Sequence, residues 1–339
     1  MKDENKRLVE TPDNIEVTQF EERLSEYNSF VSDHWLDLLL PDKEFRTVMA
    51  GQRSDDEDLD EPSIGDNSER LSRSLDLLFD SQLYRVFNNN SLDEGGRFYG
   101  GWWQHIPSQY RHYITIDWYP TKEIDFSNMQ AAMLYALEGK SLPGDAYSIE
   151  GIDPKYRKLL KRSFFKLINA TGRIRPPERS SLPSGWTWKE VMEALRDKHS
   201  AIEKHFNTGI GIRLQKTDSE IADMVMWAMR EQGKLVLPVH DSFITQEGYA
   251  KLVVHQMQNV YRYKMKKDID VTADASWSEI NVTPEAWELD RLGIRYADEA
   301  ISDLEIDPEF EGYLRRKRDF FSTDRQQWFH THNAFAANI

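Results

Sequence analysis

The stretch Leu235–Thr245, LVLPVHDSFIT, decides how the fold is read. Leu235 to Val239 and Ser242 to Thr245 are apolar runs of strand length, and the polar pair His240-Asp241 between them predicts a tight turn. An Asp at an exposed strand end costs little, whereas in a core it is expensive. A second Asp of this kind closes Glu123-Ile124-Asp125. Strand character at Tyr113 to Ile116 and Lys122 to Phe126 surrounds it, and a helix is expected over Ser127 to Leu137. Singly, each Asp is explained as the end of a strand. Together, two carboxylates repel and a divalent cation relieves them, with hard oxygen donors selecting Mg2+ or Mn2+. Two such ions about 4 Å apart can activate an attacking oxygen and stabilise a leaving one.

Working outward, Asp153-Pro154 reads as a helix start, with Asp as N-cap and Pro in the first turn, and the helix can run to about Asn169. Arg157, Lys161, Phe165 and Asn169 are spaced by four and form one slowly drifting stripe. Two readings of the stripe are open. One is a solvated basic face beside the apolar face of Tyr156, Leu160, Phe164 and Leu167. The other is a nucleoside triphosphate face, with cations on phosphates and the ring on base or sugar.

Further helices are expected over 17–39, ending before Pro41, and over 68–87, ending in Asn88-Asn89-Asn90. Arg175 to Gly185 reads as loop. Thr187 and Glu190 form a capping box for a helix to about Phe206. Thr217 and Glu220 repeat the device ahead of the stripe Ile221, Met224, Val225, Ala228 and Met229, which ends at Gly233. Gly248 opens a last helix to about Lys266.

The 339 residues allow one large domain or two modest ones. The 10 Trp, 14 Tyr and 16 Phe argue against global disorder. The chain has no Cys, which excludes disulfides, zinc–thiolate sites, cysteine-held iron–sulfur clusters and thiol nucleophiles. No run approaches 18 apolar residues and the N-terminus has no apolar signal region, so no membrane span is expected and a cytoplasmic, nucleoid-associated location is. A net charge of −15 disfavours a nucleic-acid binder when taken as an average. The charges are segregated, however. Asp55 to Glu61 and Asp298 to Glu311 are acidic, whereas Lys155 to Arg179 is basic with only Glu178 opposing. Arg262, Lys264, Lys266 and Lys267 form a second basic patch and Arg315 to Arg318 a third. Local field, not net charge, decides what docks at a site.

These residues resemble family A DNA polymerases and the related phage-type single-subunit RNA polymerases. The twelve residues from Asp125 to Ala136, DFSNMQAAMLYA, resemble motif A, whose Asp is a metal ligand. Arg157-x3-Lys161-x3-Phe165 resembles motif B, the fingers helix that grips the incoming nucleotide. Val239-His240-Asp241-Ser242-Phe243 resembles motif C, whose Asp is the second metal ligand. Upstream, Gly96-Arg97-Phe98-Tyr99 and Gln104 to Pro107 resemble the segment that touches the primer–template duplex, and Gln215 resembles a template-contacting Gln. The resemblance covers about residues 95–265, with all five segments in the family order.

The resemblance implies an α+β right-hand polymerase with an antiparallel palm sheet, helical fingers and a reduced helical thumb. Residues 1–94 would be an N-terminal helical part, 95–140 and 216–275 the palm, 141–215 the fingers and 276–339 a C-terminal helical extension. Two Mg2+ or Mn2+ ions would sit on Asp125 and Asp241, with the Phe126 carbonyl as a further ligand. Arg157, Lys161, Phe165, Gln130 and Asn169 would bind nucleotide, and Lys161 would protonate the leaving pyrophosphate. Arg97, Gln104, Gln215 and His240 would contact primer and template. The implied partners are a primer–template duplex, dNTPs and an accessory protein that offsets the acidic charge. No room for a proofreading exonuclease is expected in the first 95 residues.

Three departures from the family pattern matter. Asn169-Ala170 stands where motif B continues Tyr-Gly, Ser242 stands where the DNA enzymes have Glu, and Gln130 stands at the sugar-gate position. A hydrogen bond from Gln130 to Asn169 is expected to replace the family's Glu–Tyr pair and keep a dNTP preference. The alternatives are an RNA polymerase or primase-like enzyme on the same palm, and an inactive palm that serves as a nucleic-acid-binding subunit. Trp102-Trp103, Trp186 and Trp188 are read as packing residues.

Overall fold

The structure is a computed structural model that describes residues 1–50, 77, 81–273 and 308–322. Its elements run α1 (Ile15–Ser32), β1 (Leu36–Leu38), α2 (Asp42–Met49), β2 (Tyr84–Phe87), β3 (Gly95–Tyr99), β4 (Ile114–Ile116), β5 (Tyr119–Phe126) and α3 (Met129–Leu137). They continue with α4 (Arg157–Asn169), α5 (Trp188–Lys198), α6 (Gly211–Arg230), β6 (Val236–Val239), β7 (Ser242–Gln246), α7 (Ala250–Met265), β8 (Val271–Ala273) and α8 (Glu311–Ser322). The fold is mixed helix and sheet, and every strand pair is antiparallel.

The main sheet has the order β1-β4-β5-β7-β6, with β8 pairing the far end of β5. β5 is its organising strand. Period-two alternation buries Ile124 and Phe126 on one face and turns Glu123 and Asp125 to the other. Phe126 stacks edge-on against Phe243 of β7 and lies against Tyr261 of α7. Burying such a ring fully contributes about 1.5–3 kcal/mol. The β4–β5 connection is a two-residue turn in which Asp117 (φ +50°) and Trp118 (φ +62°) are both left-handed, the geometry that matches strand twist. β6 lies at the sheet edge, where Pro238, which lacks an N–H, is tolerated.

α6 and α7 pack on the sheet, and α6 also covers the separate β2–β3 hairpin. Behind α3, the helices α4 and α5 enclose Phe164, Leu195, His199 and Ile202, all essentially inaccessible. α8 covers the β1 edge: Arg316 donates to Asp37 at 2.8 and 2.9 Å, and Tyr313 packs on Trp35. No helix among the described residues is long and apolar enough to cross a membrane.

Several sequence expectations hold. The strands around His240-Asp241, the helix after Asp153 and the Thr187–Glu190 capping box are all present. Trp102 and Trp103 are fully buried, and Trp186 and Trp188 pack against the core. Others are corrected. The helix expected over 17–39 stops at Ser32, because Leu36–Leu38 pairs with Ile114–Ile116 as an edge strand. Tyr84–Phe87, expected at the end of a helix, is a strand paired with β3; residues 68–76 and 78–80 of that expected helix lie outside the described residues. The helix expected to run on to Phe206 ends at Lys198 and is followed by a 3-10 turn, Ser200–His205. Thr217 is not a cap: α6 begins at Gly211, and the Thr217 hydroxyl donates to the Arg213 carbonyl within the helix. Of the acidic and basic surface runs, Asp55 to Glu61 lies outside the described residues, and so does Asp298 to Asp307.

Candidate active site

The ladder between β5 and β7 sets the geometry. Asp125 pairs in register with Ser242, so Asp241 sits at the adjoining hairpin tip. The Phe126 N–H donates to the Asp241 carbonyl at 3.3 Å, which ties the tip to β5. The turn requires His240 at φ +56°, an uncommon conformation for a residue with a side chain. The His240 ring lies edge-on to Tyr99 at 5.8 Å.

Asp125 is exposed to solvent between the buried Ile124 and Phe126. Desolvation by the surrounding protein, followed by the charge of Asp241, pushes its carboxyl above the ordinary carboxylate range; Glu123 adds to the rise and Lys161 opposes it. The charges of Asp241 and Lys161 thus both act on Asp125. Glu123 accepts hydrogen bonds from the Ser242 hydroxyl at 2.5 Å and from Arg111 at 3.1 Å.

On the α4 stripe, Lys161 lies 5.7 Å from the Phe165 ring centre, and Phe165 packs against Tyr147. Arg157 is exposed and already engaged: it donates to Asp145 at 2.7 and 3.0 Å and lies over Tyr147. Asn169 ends the helix. Its amide donates back to the Phe165 carbonyl at 2.9 Å, and its carboxamide occupies the space a Cβ would need at position 211, which is Gly. This overturns the expected Gln130–Asn169 hydrogen bond, since Asn169 is turned onto its own helix. Gln130 is buried in α3, and its Oε1 has no hydrogen-bond partner.

Among the residues expected at a duplex, Arg97 is buried and forms a bidentate pair with Asp218 of α6 at 2.6–3.2 Å. Desolvation alone would lower the Arg97 pKa; the carboxylate more than offsets it and the value is raised. Burial pushes the Asp218 carboxyl up even against the pull of Arg97. The bidentate geometry is that of an ion pair, and both groups are taken as charged. Gln104 donates to the carbonyls of Phe98 and Pro238, with Trp103 also on Pro238. Gln215 is buried on α6 with its Oε1 unpartnered. Burial, and then the charges of Arg97 and Arg111, push the His240 imidazole down.

Among the described residues, no group of three or more His, Cys, Asp or Glu side chains is arranged to hold a metal ion. The donor set of Asp125 and Asp241 nevertheless suits Mg2+ chemistry, because Mg2+ is commonly held by one or two carboxylates plus water and substrate phosphates. Desolvation first, and then the like charge of Asp241, raise the Asp125 carboxyl, and a bound cation would oppose both. Asp218, Glu123, Arg111 and Asp145 were not among the residues picked out from the sequence. Glu123 carried a signal, since it lies two residues before Asp125 and therefore on the same strand face; Asp218, 121 positions from Arg97, carried none.

No protein-family model matches the sequence, and no curated protein matches it. Among solved structures, the chain is similar to the POL domain of Pol1 from M. smegmatis in complex with DNA primer-template and dNTP. The identity is 15%, the TM-score 0.39, and the match covers 58% of this chain and 48% of that one. The chain thus spans about half of that structure's length, and a likeness at this TM-score carries no argument by itself.

Proposed function

We propose that this chain is a template-directed nucleotidyltransferase, a small DNA polymerase that extends a primer with dNTPs. The observation that carries the reading is that Asp125 pairs with Ser242, which places it beside Asp241 in the β6–β7 turn, with the charges of Asp241 and Lys161 acting on Asp125. Asp125 and Asp241 hold the divalent ions, with the Phe126 carbonyl as a further oxygen donor. When bound, those ions supply activation of the primer 3′-OH and charge neutralisation on the phosphates. Lys161 and Arg157 bind the triphosphate, and Lys161 protonates the pyrophosphate as it leaves. Phe165 presents a ring to the base or sugar. Positioning and charge stabilisation carry most of such a reaction.

Gln130 crowds the sugar. Its unpartnered Oε1 is an acceptor at the start of α3, close in sequence to Asp125, and its bulk favours a 2′-deoxy sugar. Arg97, Gln104, Gln215 and His240 line the path of the duplex. Arg97, fixed by Asp218, acts there as a rigid group rather than a mobile surface cation.

The test is primer extension by the full chain with Mg2+, supplied with dNTPs or rNTPs separately, with and without primer. Templated dNTP addition to a primer is the expected outcome. Incorporation of rNTPs without primer would favour the primase-like reading, and nucleic-acid binding without any incorporation would favour an inactive palm.

A further inference from the structure

On the solvent-facing side of β5, Glu123 and Asp125 are two residues apart and share one face, while Ile124 between them is fully buried. Asp125 lies opposite Ser242 and Glu123 lies opposite Ile244, which makes Glu123 and Ser242 diagonal neighbours across the ladder. The Ser242 hydroxyl donates to Glu123 Oε1 at 2.5 Å; its other acceptor within reach, the Val239 carbonyl, is at 3.1 Å. Arg111 Nη1 donates to both oxygens of Glu123, at 3.1 and 3.4 Å. The Glu123 carboxylate is thus held from two sides, and Arg111 balances its charge.

Ser242 is the residue that leaves the His240–Asp241 turn. A turn with a left-handed His240 persists only where its surroundings determine it. Backbone contacts also hold this turn: Val239 pairs with Ser242 across it, Ser242 pairs with Asp125, and the Phe126 N–H donates to the Asp241 carbonyl at 3.3 Å. The Glu123–Ser242 bond is shorter and anchors the opposite side of the same turn.

We propose that Glu123 is a positioning residue: braced by Arg111, it holds Ser242 and so fixes the Asp241 turn against Asp125. This rests on the nucleotidyl-transfer reading above. Glu123 is assigned as an anchor for Ser242 rather than as a third cation ligand, because Ser242 and Arg111 both hold its Oε1. Its charge acts on Asp125 as well, so the placement of Asp241 is read from variants that separate charge from hydrogen bonding.

The experiment is a Mn2+ titration of the full-length chain, reading free Mn2+ by its paramagnetic resonance signal, with melting temperature measured alongside. The variants are Glu123→Ala, Ser242→Ala, the double mutant and Glu123→Gln. Each single Ala variant is expected to weaken Mn2+ binding about 10-fold, the usual scale for a partner that orients a metal ligand. The double mutant should be no weaker than either single, because both remove one shared contact. Glu123→Gln keeps an oxygen acceptor for Ser242 and loses only the charge, so it should bind Mn2+ more tightly than Glu123→Ala. If Glu123→Ala does not fold, Ser242→Ala, which deletes one oxygen, carries the same comparison. Wild-type affinity in the Ala variants, or losses that multiply in the double mutant, would overturn the positioning role while leaving the enzyme reading intact. A wild-type chain that binds no Mn2+ would overturn this role, while primer extension decides the enzyme reading.

Discussion

Arg97 of β3 is clasped by Asp218 of α6 through two-pronged hydrogen bonds, with side chains only 3% and 1% exposed. This pair joins the β2–β3 hairpin to the helix that carries Gln215, and the charge of Asp241 at the β6–β7 tip acts on both of its members. Removing one partner leaves a charge buried without compensation. Asp218→Ala should therefore lower unfolding free energy by about 3–5 kcal/mol. Urea denaturation measures this directly. Replacing both residues by apolar ones of similar volume should recover most of the loss.

The fully buried His199 supplies a pH prediction. Its Nε2 donates to the Ala146 carbonyl at 2.9 Å, which leaves Nδ1 to accept from the Tyr135 hydroxyl at 3.2 Å, so the ring is neutral. Burial pushes its pKa down from 6.5 to about 4. Between those values the unfolded chain binds the proton and the folded chain does not, so stability falls as pH drops from about 6.5 to about 4. The contribution is of the order of 3 kcal/mol when fully expressed. Denaturation of the wild type and of His199→Asn at pH 7 and pH 5 should show a smaller acid loss in the variant.

Much of the centre was legible in the sequence because its signals are local. LVLPVHDSFIT alternates two strand-length runs around a polar pair, and the α4 stripe repeats every four residues. The misread elements failed where local signals are ambiguous. Trp35 to Leu40 is a short stretch, apolar except for Asp37, that fits a helix end as well as a strand, and its pairing with Ile114–Ile116 decides. Thr217 and Glu220 have capping-box spacing, but the helix already runs through them. Contacts such as Arg97–Asp218 and Asp37–Arg316 join residues far apart in the chain and leave no periodic trace.

Arg157 is exposed and bound by Asp145, and under the proposed function an incoming triphosphate would compete for it. Exposed pairs contribute up to about 1 kcal/mol. Asp145→Asn should therefore lower the KM for dNTP by up to about five-fold, with kcat nearly unchanged. Steady-state extension at varied dNTP checks this.

Gln130 is buried with an unsatisfied oxygen rather than bonded to Asn169. If its bulk excludes a ribose, Gln130→Gly should raise rNTP incorporation relative to dNTP by at least about 10-fold, roughly the 1.4 kcal/mol expected for relieving one steric conflict. Asn169→Ala should leave that ratio unchanged. Competitive incorporation of dNTP against rNTP gives both numbers.

The most direct measurement is Mg2+-dependent primer extension by Asp125→Asn and Asp241→Asn, each shown by circular dichroism and melting to be folded. Asn keeps the shape of the side chain and removes the charge. Loss of extension by at least about 1000-fold in both variants, some 4 kcal/mol of transition-state stabilisation, is the predicted result. Extension within a few-fold of wild type in either folded variant would contradict the proposal that these two carboxylates carry the chemistry.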